Sequence, residues 1–431
     1  MNSAKDSFAT SPKTATGAVH IHSLARASLG LAKAAVGAGA LLFPSCYHRL
    51  GLLLGVTVTL VAAALTFVTL GFLGEVCHAV QGNDMMLVAR RAGSPAWAWF
   101  LAVAQVALLF GPLLVYLSLT GEYFHSFLHT MTGLHISPNL LQMLVGLGLV
   151  MPLTLGANTK VLNNLGVLGM LGMCYVAALC LFDALFVGSS EASKIVQVAS
   201  VGTHWRDAAR AVPMIVFAFS SHLAFPLLLS DMPNAKFTQH TVLGSVAATC
   251  CIYMTIGIFG YSRYGPLVHG KDVLKVGFND GASPVLYLIG QLMVAVANLV
   301  SCPILILSLI SIIKWARGKN MDETPTLPTP LTMTRAKLKA SDMDIQAASP
   351  INQDRTYVIL ICVLAVIMVP FSGSISALLD WLGAIFGCPV ALILPSYFWL
   401  RTAQDGKRKP LAYACMLTGL LLLLPILLSS K

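Results

Sequence analysis

The sequence predicts an all-α membrane protein of eleven transmembrane helices, built as two inverted repeats of five with one further helix. Three observations predict it. Apolar residues make up 57% of the 431 positions and charged residues only 10%, against about 25% charged in an average soluble protein. The charges also leave long stretches free of them, such as residues 50–74, 92–121 and 356–379, each longer than the roughly 20 residues that cross a bilayer. Two interrupted helices lie five spans apart, the spacing of equivalent helices in an inverted repeat.

In order along the chain, residues 1–21 are polar and rich in Ser, Thr and Ala, without the charged-then-apolar layout of a cleaved signal peptide, and read as a disordered cytosolic arm. A transmembrane domain over 22–428 follows, with glycine, proline and charge as punctuation. Its spans fall near 24–48, 51–80, 96–120, 139–156 and 161–187 in repeat one, 22–187. Repeat two, 209–400, holds spans near 209–231, 240–262, 283–313, 356–371 and 373–400, and an extra helix covers 409–428. Within repeat two, residues 318–355 are rich in Pro, Thr, Ser and Asp and read as a disordered cytosolic loop suited to phosphorylation.

Orientation follows from the positive charges, which favour the cytoplasmic side. With the N-terminus inside, 18 Lys and Arg fall on inner segments and 8 on outer ones, leaving Lys33 of the 27 within a span. The net charge of +10 is thus a mark of topology. No basic cluster with interleaved aromatics points to nucleic acid, and the composition excludes a soluble enzyme, a disordered chain and a disulfide scaffold. Most of the ten cysteines lie in apolar segments without metal-ligand or CxxC spacing, as buried thiols do. No cofactor or metal is expected; His125, His129 and His135 lack ligand spacing. The outer segments hold no Asn-x-Ser/Thr acceptor, so no N-glycan is expected. The plasma membrane and an acidic organelle membrane both suit such a chain.

The functional signal lies in the two interruptions. Span one runs into Val36-Gly37-Ala38-Gly39 with Pro44 beyond. The glycine pair alone fits close packing at a helix crossing or a helix unwound at mid-membrane, whose freed N–H and C=O groups bind substrate or ion. Span six carries Phe217-Ala218-Phe219-Ser220-Ser221-His222 between Pro213 and Pro226. Three adjacent polar groups at mid-depth each need a partner or a water-filled cavity.

Together with Phe259-Gly260-Tyr261 and Cys302-Pro303, these motifs resemble, in order, the amino acid/auxin permease family, which includes sodium-coupled neutral and proton-coupled amino acid transporters. The resemblance covers about residues 22–315 and, more weakly, 356–428. It implies a LeuT-type fold and secondary transport of an amino acid. By position, Gly37, Ala38 and Gly39 would hold the substrate carboxylate; Phe217, Ala218 and Ser220 would hold its ammonium; Phe219, Ser221 and His222 would shape the pocket. The wall carries no acid for a cationic side chain, so neutral amino acids are expected and cationic ones are the alternative.

Lys33 departs from the sodium-coupled branch, where the resemblance implies an Asn ligand to sodium paired with a Thr of span eight. Here span eight reads Ala297-Asn298-Leu299-Val300-Ser301 and offers no Thr. An ammonium can fill an alkali-ion site and exchange a proton, so proton coupling is expected through Lys33 with Asn298 and Ser301, and sodium coupling is the alternative. The competing reading is that Lys33 snorkels to the cytosolic surface.

Three rivals complete the reading. An intramembrane aspartyl protease needs two facing carboxylates; Asp183 and Asp380 are the only pair, and their neighbours lack that class's patterns. An amino acid sensor would bind without moving substrate. A channel would need a charge ring or filter motif, and none appears.

Overall fold

The computed structural model describes residue 24 and residues 27–156, 167–187, 205–229, 235–281, 283–317, 351–371, 373–403 and 406–424. The predicted arm 1–21 and residues 318–350 of the predicted loop lie outside the described residues. The helix α1 comprises Ala27–Ala35 (α1a) and Ala38–Leu50 (α1b), bent by 54°. It is followed by α2 (Leu52–Val80), α3 (Pro95–Thr132), α4 (Pro138–Leu155) and α5 (Val167–Phe186). The second half begins with α6 in two pieces, Trp205–Ala218 (α6a) and Phe225–Leu229 (α6b). Next come α7 (Ala235–Tyr264), α8 (Pro284–Ala316), α9 (Ile351–Met368), α10 (Ile375–Thr402) and α11 (Lys409–Leu421).

Among the described residues, eight helices are long and apolar enough to cross a membrane, and the bent pair of α1 makes nine. The predicted count of eleven rests on sequence for the other two, because α6 is split into short pieces and α11 is described for 13 residues. Boundaries moved at several places. Residues 351–355, read as the end of a loop, already belong to α9. Helix α3 continues past the expected end at 120 to Thr132, since backbone hydrogen bonding needs no apolar side chains once the helix leaves the bilayer. The corner between α1b and α2 is Gly51 at φ 82°, a left-handed-side conformation that a side chain would strain.

Equivalent helices of the two halves lie against each other: α1b with α6a, α2 with α7, α3 with α8, and α4 with α9. Pairing of these four helices with the ones five places on is what a two-fold relation between inverted halves produces. It brings both interruptions to one place between α3, α7, α8 and α10.

The connection from α2 to α3 carries a buried titratable group. Asp84 is 4% exposed, caps the short helix Met85–Val88 and accepts from the Met86 N–H at 3.1 Å. Burial pushes its carboxyl up to about 7 against the pull of its backbone donors. A carboxyl raised in the folded state contributes stability at low pH that is lost as pH rises through about 7. The purified protein is therefore expected to melt higher at pH 5.5 than at pH 8, with a smaller difference in Asp84→Asn, which keeps the cap but not the charge; an unchanged difference would count against it.

Candidate functional site

Local bonding defines the two breaks. In α1 the Val36 N–H reaches the Ala32 O at 2.8 Å, and the next piece restarts with the Ala40 N–H on the Gly37 O at 3.0 Å. Between them Gly37 is extended, at φ −133° and ψ −170°. The N–H groups of Ala38 and Gly39 thus stand at the positive end of α1b, and the last carbonyls of α1a at a negative end. In α6 the Ser220 N–H closes a turn on the Phe217 O at 2.8 Å, and the helix resumes where the Phe225 N–H meets the Ser221 O at 3.1 Å.

Both breaks open on one cavity of about 290 Å³, near the lower end of small-ligand sites. Its wall includes Lys33, Gly37, Ala38 and Gly39 from α1, Phe217, Ala218, Ser220 and Ser221 from α6, and Gln105, Leu109 and Tyr116 from α3. Tyr253 of α7, Leu305 of α8 and Leu379 of α10 complete it. Lys33 is half-buried on this wall. The wall holds no carboxylate among the described residues. A Cβ on Gly39 would meet nothing within 4 Å, whereas one on Gly37 would come 3.1 Å from the Tyr116 hydroxyl. Gly39 therefore leaves space to the cavity itself, and Gly37 leaves space to a tyrosine.

Four of the twelve expected site residues are not on the wall. Phe219 is 1% exposed and packs edge-on against Tyr253, ring centroids 5.1 Å apart. His222 is fully buried, with Nε2 2.9 Å from the Thr69 hydroxyl of α2. Thr69 donates its own proton to the Leu65 O at 2.9 Å, so it accepts from His222, and the proton is assigned to Nε2. The imidazole thus ties the break to α2 from outside the pocket. In α8, the Ser301 hydroxyl donates to the Ala297 O at 2.8 Å, and Asn298 is 4% exposed. A hydroxyl bonded to its own preceding turn is a common way to satisfy a polar group inside a helix.

Sequence reasoning missed other residues. Gln105 is 1% exposed on the wall, and its Nε2 has no hydrogen-bond partner among the described residues. The Tyr253 hydroxyl lies 2.8 Å from both the Ala35 O and the Ala218 O. A phenol inside an apolar span signals that an acceptor must be found, but not which one.

Beyond the cavity, Arg49 of α1b clasps Asp380 of α10 through Nη1 to Oδ2 at 2.7 Å and Nη2 to Oδ1 at 3.1 Å. Asp183 of α5 meets Arg263 at 3.5 Å and accepts from the hydroxyls of Tyr264 and Tyr287. The two aspartates that a protease would have to bring together are each held by a different arginine. At the other end of the bundle, Glu75 accepts from Trp399 Nε1 at 2.7 Å and from both terminal nitrogens of Arg408 at 2.7 and 3.0 Å, which fastens α11 to α2 and α10.

A family model described as transmembrane amino acid transporter protein matches residues 20–427. Vacuolar amino acid transporter 7 of Saccharomyces cerevisiae is 24% identical over 68% of this chain and 61% of its own length. A putative sodium-coupled neutral amino acid transporter 8 of Xenopus tropicalis is 21% identical over 64% of this chain and 65% of its own. In both cases the match spans less than two thirds of the relative. Among solved structures, the inward-facing conformation of Mhp1 aligns with a TM-score of 0.60 at 14% identity, over 94% of this chain and 89% of its own. That likeness shows the LeuT-type fold.

Proposed function

Because the chain belongs to the transmembrane amino acid transporter family, we propose that it moves neutral amino acids across a membrane by alternating access, without sodium and with protons. The observation that carries this reading is the cavity shared by the two breaks, walled by helix-end backbone groups and Lys33 and, among the described residues, by no carboxylate. A zwitterion fits such a wall. Its carboxylate faces the N–H groups of Ala38 and Gly39 at the positive end of α1b, with Gly37 beside them. Its ammonium faces the carbonyls of Phe217, Ala218 and Ser220. The side chain lies against Leu109, Tyr116 and Phe217, where a cationic group would find no counter-charge.

Lys33 on the cavity wall favours proton over sodium coupling. A fixed ammonium there repels an alkali ion and is itself a group able to load and release a proton. The relative described as sodium-coupled supports sodium as the second reading. The N-terminus is assigned to the cytosol by the charge asymmetry, in the plasma membrane or an acidic organelle membrane.

The test is uptake of a panel of radiolabelled neutral and cationic amino acids into proteoliposomes, with sodium or choline outside and with or without a proton gradient. Neutral amino acids are expected to accumulate equally in sodium and choline, and at least ~10-fold less once the gradient is collapsed. Uptake that needs sodium and ignores the proton gradient would refute the coupling; binding without accumulation would favour a sensor. Lys33→Met is expected to lose gradient-driven accumulation while retaining exchange.

A further inference from the structure

The carbonyl ends of α1a and α6a point at the same oxygen. Ala35 closes α1a and Ala218 closes α6a, and their carbonyls, one from each repeat, lie 2.8 Å from the Tyr253 hydroxyl of α7. Each half-helix ends in partial negative charge, equivalent to about half an elementary charge. Two such ends meeting inside a membrane make a place for a cation, since freed carbonyls at broken helices are the usual ligands of coupling ions. A phenol carries one proton, shared here between two acceptors.

The position is held firmly. Tyr253 is 1% exposed, its ring lies 4.4 Å from Phe43 and 5.1 Å from Phe219, and it borders the cavity. Packing between Phe43 of α1b and Phe219 in the break of α6 leaves the ring little freedom to turn elsewhere.

We infer that the Tyr253 hydroxyl is a built-in stand-in for a metal cation at the junction of the two broken helices, a positioning residue that makes the junction independent of sodium. The inference rests on the transport reading above and deepens it. It assigns the sodium independence in part to α7, where no charged residue is involved. The hydroxyl joins the two repeats through their helix ends, so the breaks keep their spacing with the pocket empty and present the Ala218 carbonyl to an arriving ammonium.

Two variants of the full chain test it. Tyr253→Phe keeps the ring and removes the proton donor; Tyr253→Asn keeps an oxygen and opens room for an ion, with Tyr253→Gln in its place if the asparagine variant does not fold. Each is purified and melted in sodium chloride and in equal choline chloride, and each is reconstituted for uptake. Sodium is expected to leave the wild type unmoved and to raise the melting temperature of the asparagine or glutamine variant by ~2 °C or more, since a ligand that binds only the folded state stabilises it. Tyr253→Phe is expected to lose ~10-fold or more of uptake at an unchanged gel-filtration profile, as removing a shared buried donor leaves carbonyls unsatisfied. The inference is overturned if sodium stabilises the wild type, if Tyr253→Phe transports like the wild type, or if neither the asparagine nor the glutamine variant responds to sodium. The melting arm needs no substrate, so failure of the transport reading would show separately, as a wild type that accumulates none of the amino acids.

Discussion

Asp380→Asn is expected to destabilise the protein by about 3–5 kcal/mol, the cost of leaving one member of a buried ion pair unpaired. The side chains of Arg49 and Asp380 are each 8% exposed, and two hydrogen bonds, at 2.7 and 3.1 Å, join them. Removing the carboxylate strands a guanidinium whose other near neighbours are the sulfurs of Cys46 and Met214, at 3.6 and 3.9 Å, which are weak acceptors. Replacing both partners at once, as Arg49→Met with Asp380→Leu, removes the uncompensated charge along with the bond. That double variant is expected to recover most of the loss. Melting of the wild type, both singles and the double in one detergent checks this. A double variant no more stable than the singles would mean that packing, and not the stranded charge, carries the effect.

Gly39→Leu is expected to reduce uptake by ~10- to 100-fold, equivalent to the roughly 1–3 kcal/mol of forcing atoms into filled space. The loss should appear with substrate and not in the fold. A Cβ at this position meets nothing within 4 Å, and Gly39 lies on the cavity wall, so the added side chain grows into the volume that the substrate needs. Gly37 provides the contrast. A Cβ there stands 3.1 Å from the Tyr116 hydroxyl, so the carbon added by Gly37→Ala meets a protein group, which must give by a few tenths of an ångström, and not the volume of the substrate. Should Gly39→Leu melt well below the wild type, or transport as the wild type does, the assignment of Gly39 to the cavity would fail.

The two glycines also show how far the sequence reaches. Val36-Gly37-Ala38-Gly39 marked the interruption of α1, because glycine weakens a helix wherever it stands. The different duties of the two glycines depend on what lies opposite each, and Tyr116 is on α3. The triplet Ser220-Ser221-His222 likewise marked the second interruption. Of the three, Ser220 and Ser221 border the cavity and His222 is bonded to Thr69. A short polar run shows that partners must exist without showing on which side they lie. Lys33 was the cation that fitted neither surface, and it stands on the cavity wall.

What the sequence determined by itself was a membrane-embedded helical chain, the place of most spans and the two breaks five spans apart. These follow from local quantities: the apolar length needed to cross a bilayer, and the cost of glycine or polar groups within a helix. Only the tertiary structure decided that Arg49 holds Asp380 across 331 positions, that Gln105 borders the cavity, and that one hydroxyl of α7 joins the ends of both broken helices. Such pairings depend on how helices rotate and lean against one another. That is set by the whole packed interior, and no stretch of one helix contains it.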